Sequence, residues 1–319
     1  MFELLLTTAL QELEAGRPAM LITVARATGS TPRKAGAMLL AGTQGLLYGT
    51  IGGGLLEHRC LEIAAAQPTC GHLTRFDLDN RKAGSLGMVC GGTAEVLFTP
   101  LTDPTLLHKS LTALHTNQPT WLYLPLDGSA PYIAQDSTLP TCPTLLSLGD
   151  KNALCVPLAD AGRVFVIGGG HVSHELCALL HRLDFRHIVV DDRTEFCSPA
   201  RFPHAEHTLV APLYDLSATL TGALHPDTDD AFCVMTRGHE SDADAVRFAL
   251  STDASYIGLM GSRRKREALF AALQQDGFSD IVRQRITTPI GLDIGAQTPA
   301  EIAVSIAAQL IAWRAARNS

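Results

Sequence analysis

The stretch Arg163 to Val172, RVFVIGGGHV, limits the fold more tightly than any other part of the chain. Val164-Phe165-Val166-Ile167 is a short unbroken apolar run, the texture of a parallel strand buried on both faces. Gly168-Gly169-Gly170 follows without a spacer, and helical spacing then runs to about Leu183. A second apolar run, His187-Ile188-Val189-Val190, ends at Asp191-Asp192. Strand, glycine turn, helix, strand and acid, in that order, describe the opening unit of a Rossmann fold.

The same unit suggests a ligand. The first two glycines of such a turn let a pyrophosphate approach the backbone, and the following helix N-terminus offers bare N–H groups and partial positive charge. Gly168, Gly170 and His171 are therefore candidate contacts, and Asp191 stands where an acid holds ribose hydroxyls. Ser173 replaces the third glycine of the dinucleotide pattern. NAD(P) binding and an NAD(P)-dependent oxidoreductase thus stand as the alternative reading, weakened by Ser173 and by the lack of a recognisable hydride-site acid or base. His171, His174, Glu175 and Cys177 lie at helical spacing but match no metal signature, so no metal site is expected.

Beyond this unit, Ala231 to Met235, Tyr256 to Leu259 and a helix from about Arg263 continue the β-then-α rhythm, which implies a parallel sheet covered on both faces. Arg237 and His239 follow one strand, and Gly261, Ser262 and Arg263 follow the next, all at the edge where open α/β sheets bind ligands. Basic residues at a helix start oppose the helix dipole, which suggests an anion there. The last helix is announced by Thr298, Pro299 and Glu301.

The first half has a different texture. A helix to about Ala15, strands at 19–27, 37–41 and 46–48, a helix at 55–66, strands at 73–78 and 92–98, a helix at 106–114 and an extended 121–126 predict a small α+β domain over 1–126. From 127 to 160 prolines recur and periodicity fades, so this segment reads as the tail of the first domain, with short strands, and a linker; the Rossmann-like doubly wound domain then occupies 161–319. Within 1–126, Gly52-Gly53-Gly54 precede a helix that carries Glu57, and Arg33 lies in another turn, GSTPR. Both turns suit an anion. Cys90 stands beside Gly91 and Gly92, where backbone N–H groups can favour a reactive thiolate. The eight cysteines include no CxxC pair, so a structural zinc site is not signalled.

With 319 residues, 46% of them hydrophobic, 18% charged and a net charge of −7, the chain suits two ordinary globular domains and not a nucleic-acid binder. No apolar run is long enough to span a membrane, and the amino-terminal run is interrupted by Glu3, so a cytoplasmic protein is expected.

The motifs together resemble the XdhC/CoxI family of xanthine dehydrogenase accessory proteins. The resemblance runs through GSTPRKAGAM (29–38), GTIGGGLLE (49–57), GMVCGG (87–92), VFVIGGGHVS (164–173), VVDDR (189–193), MTRGHESD (235–242), YIGLMGSRRK (256–265) and PIGLDIGAQTPAEIAVSI (289–306). It implies a cofactor-binding chaperone rather than a catalyst, one that binds molybdenum cofactor (molybdopterin) transiently, assists its sulfuration and inserts it into an apo molybdenum hydroxylase such as xanthine dehydrogenase. A cysteine desulfurase partner and a homodimer are further implications. By the same resemblance Cys90 is a contact for cofactor or sulfur. Many relatives have two adjacent cysteines there, and this chain has Val89-Cys90.

Overall fold

The computed structural model describes residues 2–66, 69, 71–78, 91–114, 120–136, 142–149, 151–158, 162–261 and 263–317. The chain divides into two compact units, Met1–Asp160 and Ala161–Ser319.

In the first unit, α1 (Phe2–Glu14) leads into β1 (Ala19–Thr28), β2 (Met38–Gly42) and β3 (Gly45–Gly49). Next come α2 (Gly54–Ala66), β4 (His72–Asp77), β5 (Thr93–Leu101) and α3 (Pro104–Leu114). The strands form an antiparallel sheet in the order β3-β2-β1-β5-β4. Strand β1 alternates between two cores, because successive side chains point to opposite faces. Leu21 and Ala25 meet Leu6 and Leu10 of α1 and Leu107 of α3; Met20, Ile22 and Val24 meet Leu56, Cys60 and Ala64 of α2.

The short strands expected in the tail of the first domain pair with one another and with an earlier strand in a second sheet. Strands β6 (Thr120–Pro125), β7 (Tyr132–Gln135), β8 (Thr144–Leu148) and β9 (Lys151–Pro157) pair antiparallel in the order β7-β6-β9-β8. Leu122, Leu124, Leu154 and Val156 join the core that holds α1 and α3. Pro125 and Pro157 sit at strand ends, and Pro131 and Pro143 directly before strands, where a missing N–H does little harm.

The second unit contains β10 (Arg163–Ile167), α4 (His171–Arg182), β11 (Arg186–Asp191), β12 (His207–Val210) and α5 (Leu216–Thr219). It continues with β13 (Ala231–Val234), α6 (His239–Ser251), β14 (Tyr256–Leu259), α7 (Arg263–Gln275), α8 (Asp280–Arg283), β15 (Ile286–Thr287) and α9 (Pro299–Arg317). All six strands run parallel, in the order β12-β11-β10-β13-β14-β15. This is the doubly wound order, which reverses between β10 and β13. Phe165 and Ile167 face α6 and α7, whereas Val164 and Val166 face α4 and α9. Helix α9 starts on a capping box: Thr298 Oγ1 accepts from the Glu301 amide at 3.3 Å, and Glu301 accepts from the amides of Gln297 and Thr298 at 2.8 and 2.9 Å. Among the described residues, no helix is long and apolar enough to cross a membrane.

A buried ion pair ties the start of β10 to that of β13. Asp230 accepts from the Arg163 amide at 2.6 Å, from its Nε at 3.2 Å and from its Nη2 at 2.6 Å, and from the Asp227 amide at 2.9 Å. Arg163 donates in turn to the carbonyls of Ala223 and His225 at 2.7 and 2.8 Å. A buried charge is tolerated when its partners are complete and costly when one is removed. We therefore expect Asp230→Ala to lower unfolding stability by about 3–5 kcal/mol in urea titration, and an Arg163→Met/Asp230→Leu pair to recover only the part due to the unpaired guanidinium, because the amides of Arg163 and Asp227 still lack an acceptor.

Candidate functional site

In the first unit, three turns that carry sequence motifs meet at one end of the five-stranded sheet. A side chain on Gly29 would begin 3.1 Å from Gly92 Cα, and one on Gly92 would begin 2.7 Å from the Ser30 carbonyl oxygen, so the two backbones touch where only glycine fits. Pro32 packs directly on Gly52, with the Arg33 stem beside it. Arg33, Gly52, Gly53, Gly54, Glu57, Gly91 and Gly92 are thus gathered in one corner. Arg33 is exposed there. Cys90 lies outside the described residues.

The glycine turn is already supplied with an anion. Glu57 Oε2 accepts from Thr50 Oγ1 at 2.6 Å and from the amides of Ile51 and Gly53 at 3.1 Å each, while Thr50 Oγ1 accepts from the Gly52 amide at 3.1 Å. Sequence reasoning offered these amides and Glu57 to a ligand. The structure commits the amides of Gly52 and Gly53 to groups of the same turn, because a glutamate one turn into the helix reaches back over it.

The second unit leaves its turn open. Gly168 has φ +103, and a side chain there would begin 2.5 Å from the Met235 carbonyl oxygen, so the turns after β10 and β13 press together at the switch point. Gly170 is different: a side chain built on it meets nothing within 4 Å. It is the N-cap of α4, with no side-chain cap, and the first helical hydrogen bond of α4 runs from His174 N to Gly170 O at 3.0 Å. The amides before His174 precede the ladder and point out of the helix start. His171 is the exposed first residue of α4. Ser173 is buried, and its hydroxyl donates to the Gly168 carbonyl, so the third glycine of the pattern is replaced by a hydroxyl that ties the turn from inside.

Asp191 is turned inward. It is 1% exposed and accepts from the Gly169 amide at 2.7 Å and from Arg193 N, Nε and Nη2 at 2.9–3.0 Å. Burial alone would raise its carboxyl, but the bonds from Arg193 and Gly169 hold it below the usual carboxylate range. The expected ribose acid is therefore a brace for the glycine turn, which Arg201 also holds through the Gly169 carbonyl at 3.2 Å. The more accessible acid is the next residue. Asp192 lies 3.3 Å from Arg237, whose side chain is 63% exposed, so this pair links the turns after β11 and β13. The doubled acid in the sequence, Asp191-Asp192, was the signal for it.

His239 opens α6 and is exposed. Gly261 follows β14, and a side chain there would begin 3.2 Å from the Lys265 stem. Ser262 and the Arg263 side chain lie outside the described residues. Lys265 Nζ is 3.1 Å from Asp242 Oδ2, and Asp242 also accepts from Thr236 N and Oγ1 at 3.2 and 2.6 Å. A buried aspartate thus answers one charge of the basic run that was expected to meet an external anion. The described buried thiols are poor sulfur nucleophiles: burial, then the Glu57 charge, pushes Cys60 up to about 12, and burial also raises Cys177 and Cys233. Among the described residues, no group of three or more His, Cys, Asp or Glu could hold a metal ion.

This architecture is shared with known proteins. Residues 164–310 match the model of the XdhC Rossmann domain, and residues 12–77 match that of the XdhC and CoxI family. The chain is 26% identical over 324 residues to a protein of Bacillus subtilis named as a probable subunit of xanthine dehydrogenase, covering 95% of each protein. It is 24% identical to the uncharacterized protein YqeB of Escherichia coli, over 96% of this chain and 45% of that longer one. A crystal structure described as that of a xanthine dehydrogenase from Bacillus halodurans has the same fold, with a TM-score of 0.76, 24% identity and coverage of 97% of this chain and 96% of that one. With both halves matched in order, the chain belongs to the XdhC and CoxI family.

Proposed function

We propose that this protein is an accessory factor for a molybdenum hydroxylase of the xanthine dehydrogenase type, and that it binds molybdenum cofactor as cargo, assists its sulfuration and delivers it to the apoenzyme. Family membership and the match to a probable component of xanthine dehydrogenase support the accessory role. The observation that carries the binding part is the start of α4, where outward amides and the open side of Gly170 lie at the switch point of a parallel sheet. Helix start, missing side-chain cap and free space together suit the phosphate of the pterin cofactor. In this reading Arg237 at the same edge is a further anion contact, and Arg33 is one of the first unit by itself. Cargo that must leave again is better held by amides and guanidinium groups than by a cage of protein ligands around the metal. The reading includes a cysteine desulfurase as sulfur source, a homodimer and a cytoplasmic setting.

The same strand order and open glycine also favour a second reading, a nicotinamide dinucleotide in the Rossmann crevice. Asp191 speaks against it, since its carboxylate is filled by Gly169 and Arg193, and ribose recognition would fall to Asp192.

Gly170→Asp separates binding from folding. Gly170 has φ −65 and ψ −169, which any residue adopts, and aspartate is a better N-cap than glycine by a few tenths of a kcal/mol. The variant is expected to melt no lower than the parent. Its carboxylate takes the place offered to phosphate, so the pterin and molybdenum recovered with protein from a cofactor-replete host fall by about tenfold or more. Undiminished cofactor in Gly170→Asp would remove the seat from α4.

Cys90→Ala addresses sulfuration. If Cys90 handles sulfur, the variant keeps its cofactor content but yields a hydroxylase containing the cofactor and lacking activity, restorable by chemical sulfuration. Full activity of the matured client would leave Cys90 without that role.

A further inference from the structure

A cavity of about 400 Å³ opens between α6 and α7, beside Leu259 at the end of β14. That is within the range of about 300–1,000 Å³ typical of small-molecule sites. Leu259, Leu269 and Ala272 give it an apolar surface. Most of its ions are paired. Asp242 is answered by Lys265 at 3.1 Å, and Arg247 lies 2.9 Å from Asp244 and 2.7 Å from Asp276. Glu240 remains. It lines the cavity, is exposed, and has no hydrogen bond or ion pair to any described residue.

Three carboxylates against two cations in the lining disfavour phosphate. The apolar wall, with an exposed Glu240 that has no partner among the described residues, suits a flat heterocycle that presents N–H donors. An ionised carboxylate only accepts, through two oxygens side by side, and so matches two adjacent N–H groups in a charge-assisted pair. The 2-amino-4-oxopyrimidine edge, shared by pterin and guanine, carries two such donors: the ring N3–H and the exocyclic amino group.

We propose that the α6–α7 cavity is the seat of a 2-amino-4-oxopyrimidine ring and that Glu240 is its recognition group. The inference rests on the reading of the chain as a carrier of a phosphorylated pterin. It divides the recognition between the two faces of the sheet at its carboxyl edge, with the phosphate at the start of α4 and the ring at α6–α7. The same glutamate stands in the first turn of α6, where its charge also favours the helix dipole, so stability must be followed in parallel.

The test uses the full chain and pterin itself, 2-amino-4-oxopteridine, followed by its intrinsic fluorescence. Lumazine, the 2,4-dioxo analogue without the amino donor, and guanosine are the comparison ligands. Pterin is expected to bind saturably and lumazine about tenfold or more weaker, because one charge-assisted bond is lost. Glu240→Gln is expected to weaken pterin by about tenfold or more and to erase its advantage over lumazine, with no matching loss of thermal stability. Ala272→Phe, which fills the cavity, abolishes both. Pterin has no phosphate, so Gly170→Asp leaves its binding intact. Guanosine binding more tightly than pterin would keep the cavity and Glu240 but overturn pterin as the ring. Equal binding of pterin and lumazine, or Glu240→Gln binding pterin like the parent, would overturn the proposal. Glu240→Gln that still loads whole cofactor would contradict this inference alone, whereas Gly170→Asp that binds pterin and still loads cofactor would contradict the functional reading.

Discussion

The geometry of the Rossmann unit depends on one close approach: the Gly168 turn pressed against the carbonyl of Met235, where a side chain would begin 2.5 Å away. That contact draws the ends of β10 and β13 together at the point where the strand order reverses. It also turns the chain so that Gly170 meets open space and α4 begins without a side-chain cap. The turn is braced from several sides, by Asp191 on the Gly169 amide, Arg201 on its carbonyl and Ser173 on the Gly168 carbonyl. A seat built of backbone amides gains from such bracing, because donors that are already fixed lose little freedom when a ligand arrives.

The two glycine turns of the chain look alike in sequence and differ in chemistry. At Gly52 and Gly53 the N–H groups close on Glu57 and Thr50, so the turn holds its own carboxylate. At Gly170 the acid that sits close by, Asp191, reaches the amide of Gly169 instead and leaves the helix start outward. A glycine turn before a helix offers donors in either case. Which turn has room for an external anion is decided by where one nearby carboxylate points, and that is a property of packing.

This explains what could be read from the residues and what could not. The apolar run Val164 to Ile167, the glycines after it and the alternation that follows announced the doubly wound unit, since a strand buried on both faces leaves an unbroken apolar signature. The box at Thr298 and Glu301 likewise marked the start of α9. Strands β12 and β15 left no such mark. Both lie at the edges of the sheet; β12 is only partly buried and β15 is two residues long, so neither carries much pattern. The pairing of the four-stranded sheet over 120–157 was hidden by prolines such as Pro131 and Pro143, which directly precede strands, and Pro125 and Pro157, which end them. At the site, the residue types were legible and their directions were not. Glu57 and Asp191 have the sequence position of ligand contacts, yet both turn inward, and the exposed acids, Asp192 and Glu240, each stand one residue after a position that the motifs singled out.

The central claim is that the amides at the start of α4 receive the cofactor phosphate and that those of the Gly52 turn do not. Protein labelled with 15N in glycine, titrated with molybdopterin and followed by amide NMR, tests it directly. The account predicts a large shift at Gly170, with Gly52 and Gly53 unmoved. A shift at Gly52 and Gly53 with Gly170 silent would contradict it.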